Sequence, residues 1–177
     1  MPNAKQIYLA GPGVFRPDSL EWGRRLKRAC SAVGLAGFYP LDGDIPAEMA
    51  SKAASRRWIF ANNCYLIRQA DVVLADLRAF RSACEPDSGT AFEVGFAHAL
   101  GKPVWLWLPD CKTGGEMIGR LPCHKSDAGW IDADGLLVED FGAPINLMLW
   151  DAASGVSFDP EPESVLATLA AWLQKNQ

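Results

Sequence analysis

The sequence predicts an α/β fold, a mostly parallel sheet of about five strands with helices on both faces. Three observations carry that expectation. Short apolar, β-branched runs alternate with longer stretches of helical composition along the chain. The run DVVLADL at 71–77 is almost continuously apolar, as a central parallel strand covered on both sides must be. Of the 177 residues 49% are hydrophobic, enough for a single domain spanning 1–177 to enclose its own core.

QIYLAG (6–11) reads as a buried strand that stops at Gly-Pro-Gly. Asp18 or Ser19 can cap a helix running through LEWGRRLKRACSAV to Gly34. LAGFYPL (35–41) is a second strand candidate, and Pro46 stands at the start of a helical stretch from about Ala47 to Ala70. DVVLADL is followed by the polar loop RAFRSACEPDS. A helix over 88–100 comes next, capped by Asp87 or Ser88 and stopped by Gly101 in the left-handed position. PVWLWLP (103–109) is a further strand, with Trp105 and Trp107 on one face. Residues 110–135, rich in Gly, Asp and Lys, read as a surface excursion, and EPESVLATLAAWLQ as a closing amphipathic helix. Right-handed crossovers between such strands build a doubly wound, Rossmann/flavodoxin-like sheet.

Composition excludes several classes. A formal net charge of −4 supplies no electrostatic reason to bind nucleic acid or an anionic membrane. No apolar run approaches the roughly 20 residues that span a bilayer. MPNAKQIYLAG carries neither a basic n-region nor a long apolar h-region, so a cytoplasmic location is expected. The five cysteines are odd in number and lack C-x-x-C spacing, which predicts buried or free thiols. Cys111, Cys123 and His124 lack the fourth ligand and paired spacing of a zinc site, so no metal is expected.

In open α/β sheets ligands bind beyond the carboxyl ends of the strands. That places a candidate site at Gly11 after the first strand, at Asp76 closing DVVLAD, in the 78–89 loop and at the start of the following helix. Asp76, Asp87 and Glu93 all fall there. The helix is apolar almost all round, so it is expected to be buried, with Glu93 its one acid in a low-dielectric setting. Desolvation raises the pKa of such a group while the nearby helix N-terminus favours its ionised form. A carboxylate kept charged with little water around it is a competent nucleophile, whereas one paired with an internal arginine is structural. Gly89 and Gly95 weaken the helix unless something approaches its backbone closely. Two carboxylates beside an apolar pocket suit glycosidic-bond chemistry, about 5 Å apart when configuration is retained. Asp76 reads either as a proton donor or as a cap after the strand. Arg78 and Arg81 can hold a substrate hydroxyl, pair with Glu85 or stand in solvent, and His98 is expected in the core.

Four blocks then stand together: IYLAGPGVF (7–15), ADVVLADLRAFR (70–81), EPDSGTAFEVGFAHALGKPV (85–104) and FGAPINLMLWD (141–151). In these the chain resembles the nucleoside 2-deoxyribosyltransferases over most of its length. The resemblance implies that Glu93 is the nucleophile that takes the deoxyribosyl group and that Asp87 binds the sugar and aligns it. It implies a Tyr8 hydrogen bond near the nucleophile and Phe15 in the base pocket. Asn146 and Met148 match an edge lent to a neighbouring active site, which implies a homo-oligomer. Gly11, Gly89 and Arg81 complete the expected substrate contacts. Asn63 stands where some members carry an aspartate that exchanges a proton with the base. An amide can hydrogen-bond a base edge but cannot be a general acid, so either Asp76 does the proton work or the leaving base departs with help from water. The tail LQKNQ lacks the aromatic terminus of some members.

The implied activity is exchange of 2-deoxyribose between nucleobases, with retention, through a covalent deoxyribosyl-Glu93 intermediate. Deoxynucleosides and free nucleobases are the implied partners, with no cofactor or metal. One alternative is the related 2-deoxynucleoside 5′-monophosphate N-glycosidase, a hydrolase that needs a phosphate cradle. In GPGVFRPDS, Pro12 removes one amide from such a cradle and Arg16 offers a cation. Another alternative is a non-catalytic nucleotide-binding module.

Overall fold

Apolar runs form strands where expected, and a fifth strand joins them. In the computed structural model, which describes residues 4–176, the strands in chain order are β1 (Lys5–Ala10), β2 (Leu35–Phe38), β3 (Val72–Asp76), β4 (Val104–Trp107), β5 (Cys123–Ser126), β6 (Gly129–Asp132) and β7 (Gly155–Ser157). Residues 1–3 of the expected 1–177 domain, and Gln177 of the LQKNQ tail, lie outside the described residues. Five strands make one sheet in the order β2-β1-β3-β4-β7, every neighbour parallel. This is the doubly wound, flavodoxin-like order. Tyr8 sits opposite Phe38 on one side and Val73 on the other.

Alternation along the strands sorts the core into two layers. Ile7 and Leu9 of β1, with Trp105 and Trp107 of β4, face α1 (Ser19–Ala32) and α5 (Pro162–Lys175), meeting Leu26, Leu166 and Leu169. Tyr8, Val73, Ala75 and Leu106 face the other way. There α2 (Lys52–Gln69), α3 (Ser88–Ala99) and the short α4 (Leu147–Trp150) supply Ile67, Val94, Ala97 and Leu149. All five cysteines are free thiols. No helix among the described residues is long and apolar enough to cross a membrane.

Four details differ from expectation. A 3₁₀ turn over Ala47–Met49 precedes α2, which starts at Lys52 because the Ser51 hydroxyl accepts from the Ala54 amide at 3.2 Å. The 110–135 excursion contains the antiparallel hairpin β5–β6, beside a small cluster of Cys84, Met117 and Val138. Strand β7 is only three residues long and has no periodicity to read. The expectation that α3 is buried all round is corrected: it buries only Thr90, Val94 and Ala97. Phe92 remains 49% exposed, and His98 is exposed rather than in the core. The sheet covers one side of this helix, and its outer apolar side chains cluster with one another, Phe92 packing 5.6 Å from Phe60 and 5.9 Å from Phe96. Apart from its own helix backbone, no atom of the described residues lies within 4 Å of a Cβ built on Gly95, so none of them approaches the helix there.

Gly155 explains how so short a strand docks. A Cβ at this position would stand 2.2 Å from Cζ3 of Trp105. Gly155→Ala is expected to lower stability by about 1–3 kcal/mol, the usual range for overpacking. An unchanged urea midpoint would show that the Trp105 ring yields freely.

Candidate active site

Strands β1 and β3 are neighbours, yet the chain leaves them towards opposite edges of the sheet, and a crevice opens beyond their carboxyl ends. Gly11 forms its sill. Its φ of 149° is one that side chains rarely adopt, and a Cβ there would stand 2.7 Å from Cβ of Asp76.

Glu93 lies in the second turn of α3, on the side turned to β1. The Tyr8 hydroxyl donates to its Oε1 at 2.6 Å and Asn63 Nδ2 donates to the same oxygen at 3.4 Å. Among the described residues no lysine or arginine pairs with it. Burial pushes its pKa up to about 7. The Tyr8 hydrogen bond opposes that shift, the charge of Asp87 adds to it, and the Asn63 contact opposes it again. Tyr8 itself is fully buried, and burial followed by the Glu93 charge drives its own pKa far upward, which keeps it a phenol donor.

Asp87 caps α3: its Oδ2 accepts from the Thr90 amide at 2.9 Å and from the Thr90 hydroxyl at 3.1 Å. Gly89 permits that cap, since a Cβ would meet Asp87 Oδ2 at 2.9 Å. A cavity of about 340 Å³ is bounded by Gly11, Phe15, Asn63, Asp87, Gly89 and Glu93. Its apolar wall comes from Leu41 and Ile45 after β2 and from Trp58 and Ile59 of α2. Sequence reasoning did not single out that wall. The available signal was helical spacing, because Ile59 precedes Asn63 by four residues on one face of α2. The Oδ1 atom of Asn63 is buried without a partner among the described residues.

Asp76 is placed differently. It is 5% exposed and lines a second cavity of about 200 Å³, which also has Phe15 in its wall, not the one against Glu93. Arg78 Nε lies 2.9 and 2.8 Å from its two oxygens, and Nη2 lies 2.8 Å from Oδ2. Burial raises the Asp76 pKa against the pull of that guanidinium. Arg78 therefore pairs with Asp76 and not with Glu85. Arg81, the one non-glycine residue with positive φ among the described residues, lays its guanidinium 4.6 Å from the Phe80 ring centre and 5.3 Å from that of Phe15. Phe15 and Phe80 stack at 5.1 Å.

Asn146 caps α4, its Oδ1 accepting from the Met148 amide at 3.0 Å while its Nδ2 donates to Glu139. Met148 is 73% exposed. Neither residue borders the Glu93 cavity of its own chain. Among the described residues no group of three or more His, Cys, Asp or Glu is arranged to hold a metal ion.

Fold and pocket together define an α/β protein with a small-molecule cleft at the carboxyl edge of its sheet. A profile of the family described as nucleoside 2-deoxyribosyltransferase matches residues 7–148, and the chain belongs to that family. An uncharacterized protein of Schizosaccharomyces pombe is 33% identical over 155 residues, 80% of this chain and 74% of that one. The solved 2-desoxiribosyltransferase from Leishmania mexicana is 32% identical, with a TM-score of 0.71 over 94% of this chain and 97% of its own. The 2-deoxyribosyltransferase from Bacillus psychrosaccharolyticus is 25% identical, with a TM-score of 0.57 over 87% and 86% of the two chains.

Two expectations follow from the Glu93 environment. If ionised Glu93 is what reacts, kcat/KM rises with pH through about 7 and is lost below it. Tyr8→Phe removes a donor that favours the ionised form, so the limb moves to higher pH and the neutral-pH rate falls about tenfold to a hundredfold. A limb that stays put would show that Tyr8 does not govern the carboxylate. The stability effect has the opposite sign. Because the folded pKa exceeds the ordinary value of 4.5, the folded state holds this proton more tightly, and the contribution to stability falls as pH rises from about 4.5 to about 7. Glu93→Gln is therefore expected to stabilise the fold above pH 7, by at most a few kcal/mol. Melting temperatures of the two proteins at pH 5 and pH 8 check this.

Proposed function

We propose that the protein exchanges 2-deoxyribose between nucleobases through a covalent deoxyribosyl-Glu93 intermediate. The observation that supports this most directly is the Glu93 carboxylate: desolvated, free of any cationic partner among the described residues, and set in the wall of a cavity large enough for a nucleoside. A Glu93 oxygen bonds to C1′ as the bond from C1′ to the base nitrogen breaks, through an oxocarbenium-like state. A second base then attacks C1′ from the vacated side and the ester bond to Glu93 breaks. Two displacements retain the configuration. The missing 2-hydroxyl makes the oxocarbenium easier to form and leaves room beside the nucleophile.

Asp87 has one oxygen occupied by the helix cap, and its other oxygen takes a sugar hydroxyl. Asn63 meets a base edge with its unpartnered carbonyl. Phe15 packs on the base, backed by Phe80 and Arg81. Asp76 acts through Arg78, whose guanidinium stabilises the charge that develops on the departing base. Asn146 and Met148 serve a neighbouring copy of the chain in a homo-oligomer, which fits the 73% exposure of Met148. No step calls for a cofactor or a metal. Hydrolysis of a deoxynucleotide is the second reading. Arg16 at the rim of the second cavity favours it, although Asp18 already engages that guanidinium at 2.8 Å.

The test mixes the protein with deoxyadenosine and free hypoxanthine and separates the products by chromatography. Deoxyinosine is the expected new product. Free deoxyribose as the main sugar product would indicate hydrolysis, and unchanged substrate a binding module. Glu93→Ala is expected to reduce turnover by at least about a thousandfold. Retention of even a tenth of wild-type activity would overturn the covalent route.

A further inference from the structure

The excursion over 110–135 does not border the Glu93 cavity, yet it holds the chain around Asn146 at three points. The Val138 amide donates to the Trp130 carbonyl at 2.8 Å, and the Met117 amide to the Ala143 carbonyl at 2.8 Å. Arg120 Nη1 donates to the Pro144 carbonyl at 2.7 Å. These bonds set Glu139 beside Asn146. Glu139 Oε1 accepts from Asn146 Nδ2, and Oε2 accepts from the Leu147 amide at 2.9 Å. Among the described residues no lysine or arginine pairs with Glu139, so both oxygens serve this one segment. The other end of the Asn146 amide, Oδ1, accepts from the Met148 amide at 3.0 Å. A carboxylate only accepts and a backbone N–H only donates, so a flipped amide would set oxygen against oxygen and N–H against N–H. Glu139 and the Met148 amide thus fix which end of Asn146 is the donor.

We infer that Glu139 is a positioning residue for a neighbouring active site, aiming the Asn146 amide across the contact between two copies of the chain. The inference rests on the function proposed above and adds to it a residue that itself touches no substrate. Helix α4 is only four residues long, too short to hold its own first turn rigid, so Asn146 needs an outside anchor. Two observations give the direction of its action. Asn146 and Met148 do not border the Glu93 cavity of their own chain. The surface beside them is apolar and open: Leu137 and Phe141, which share a cavity wall with Glu139, are 63% and 71% exposed. Such a patch marks a protein contact, and a second copy is the partner that brings a Glu93 cavity to it. The second hydrogen of Asn146 Nδ2 and the second lone pair of Oδ1 then meet the substrate held by that copy.

Glu139→Ala is expected to lower kcat/KM for turnover of deoxyadenosine with hypoxanthine by about tenfold to a hundredfold, the cost of a misplaced contact group. Added to Asn146→Ala, the same change is expected to cost less than about twofold, since no amide remains to aim. A hybrid oligomer separates action on the neighbour from action within the chain. It is purified through two affinity tags, one chain carrying Glu93→Ala and the other Glu139→Ala. One of every two sites in a two-fold pair then joins an intact Glu93 to an intact Glu139–Asn146 edge, so about half of the wild-type turnover is expected to return. A hybrid no more active than Glu139→Ala alone, full additivity with Asn146→Ala, or a wild type that runs as a monomer in gel filtration would overturn the inference. If Glu139→Ala fails to fold, Glu139→Gln carries the same comparisons, because its amide nitrogen cannot accept from the second donor. Should the wild type turn over no nucleoside, the functional reading fails by itself. Calorimetric titration of the wild type and Glu139→Ala with deoxyadenosine then still decides the positioning role. Binding about tenfold weaker in the variant upholds it, and equal affinity removes it.

Discussion

The hydrogen bond from Tyr8 to Glu93 is the constraint on which the rest of the site depends. It joins a fully buried residue of a central strand to the acid on α3, 85 positions later in the chain. Two opposed effects meet at the carboxylate. Burial strips it of water and pushes its pKa up to about 7, while the phenol donor and the Asn63 amide hold it towards the ionised state. With burial alone the group would spend neutral pH largely as a protonated acid. Fully solvated, it would be an ordinary surface carboxylate. The combination keeps it poised between those states.

Around that contact lie two cavities, and Phe15 borders both. One cavity is lined by Asp87, Glu93 and Asn63. The other is lined by Trp22, Phe80, Arg16 and Arg78. Gly11 keeps the sill open, because a side chain there would collide with Asp76. The loop after β3 supplies the backing: Arg78 neutralises the buried acid, Phe80 supports Phe15, and Arg81 rests on both rings from a left-handed backbone position.

Much of this was legible in the residues. DVVLADL could be placed because an unbroken apolar run has few other uses, and Asp87 because an acid immediately before a helix satisfies orphan amides. Glu93 stood out as an acid in an apolar helix. The outer face of α3 was misjudged because apolar composition does not say what covers a helix: Phe92 and Leu100 stay exposed within one chain. Strand β7 escaped notice because three residues carry no period, and the hairpin at 123–132 because its strands are polar and only half buried. The Asp76–Arg78 pair joins residues two apart, but it depends on how the chain turns at the end of β3. The Trp58–Ile59 wall depends on where the chain returns in space, and spacing along the sequence holds only a faint trace of it.

The placement of Tyr8 ties reactivity to assembly. Its strand pairs on both sides, with β2 and with β3, before the phenol can reach across to α3. A refolding chain with correct secondary structure but an undocked third helix would carry every functional group and still lack the aligned carboxylate. On the proposed mechanism, regained turnover would time the final docking of helix onto sheet, whereas far-ultraviolet dichroism would register only the earlier formation of the parts.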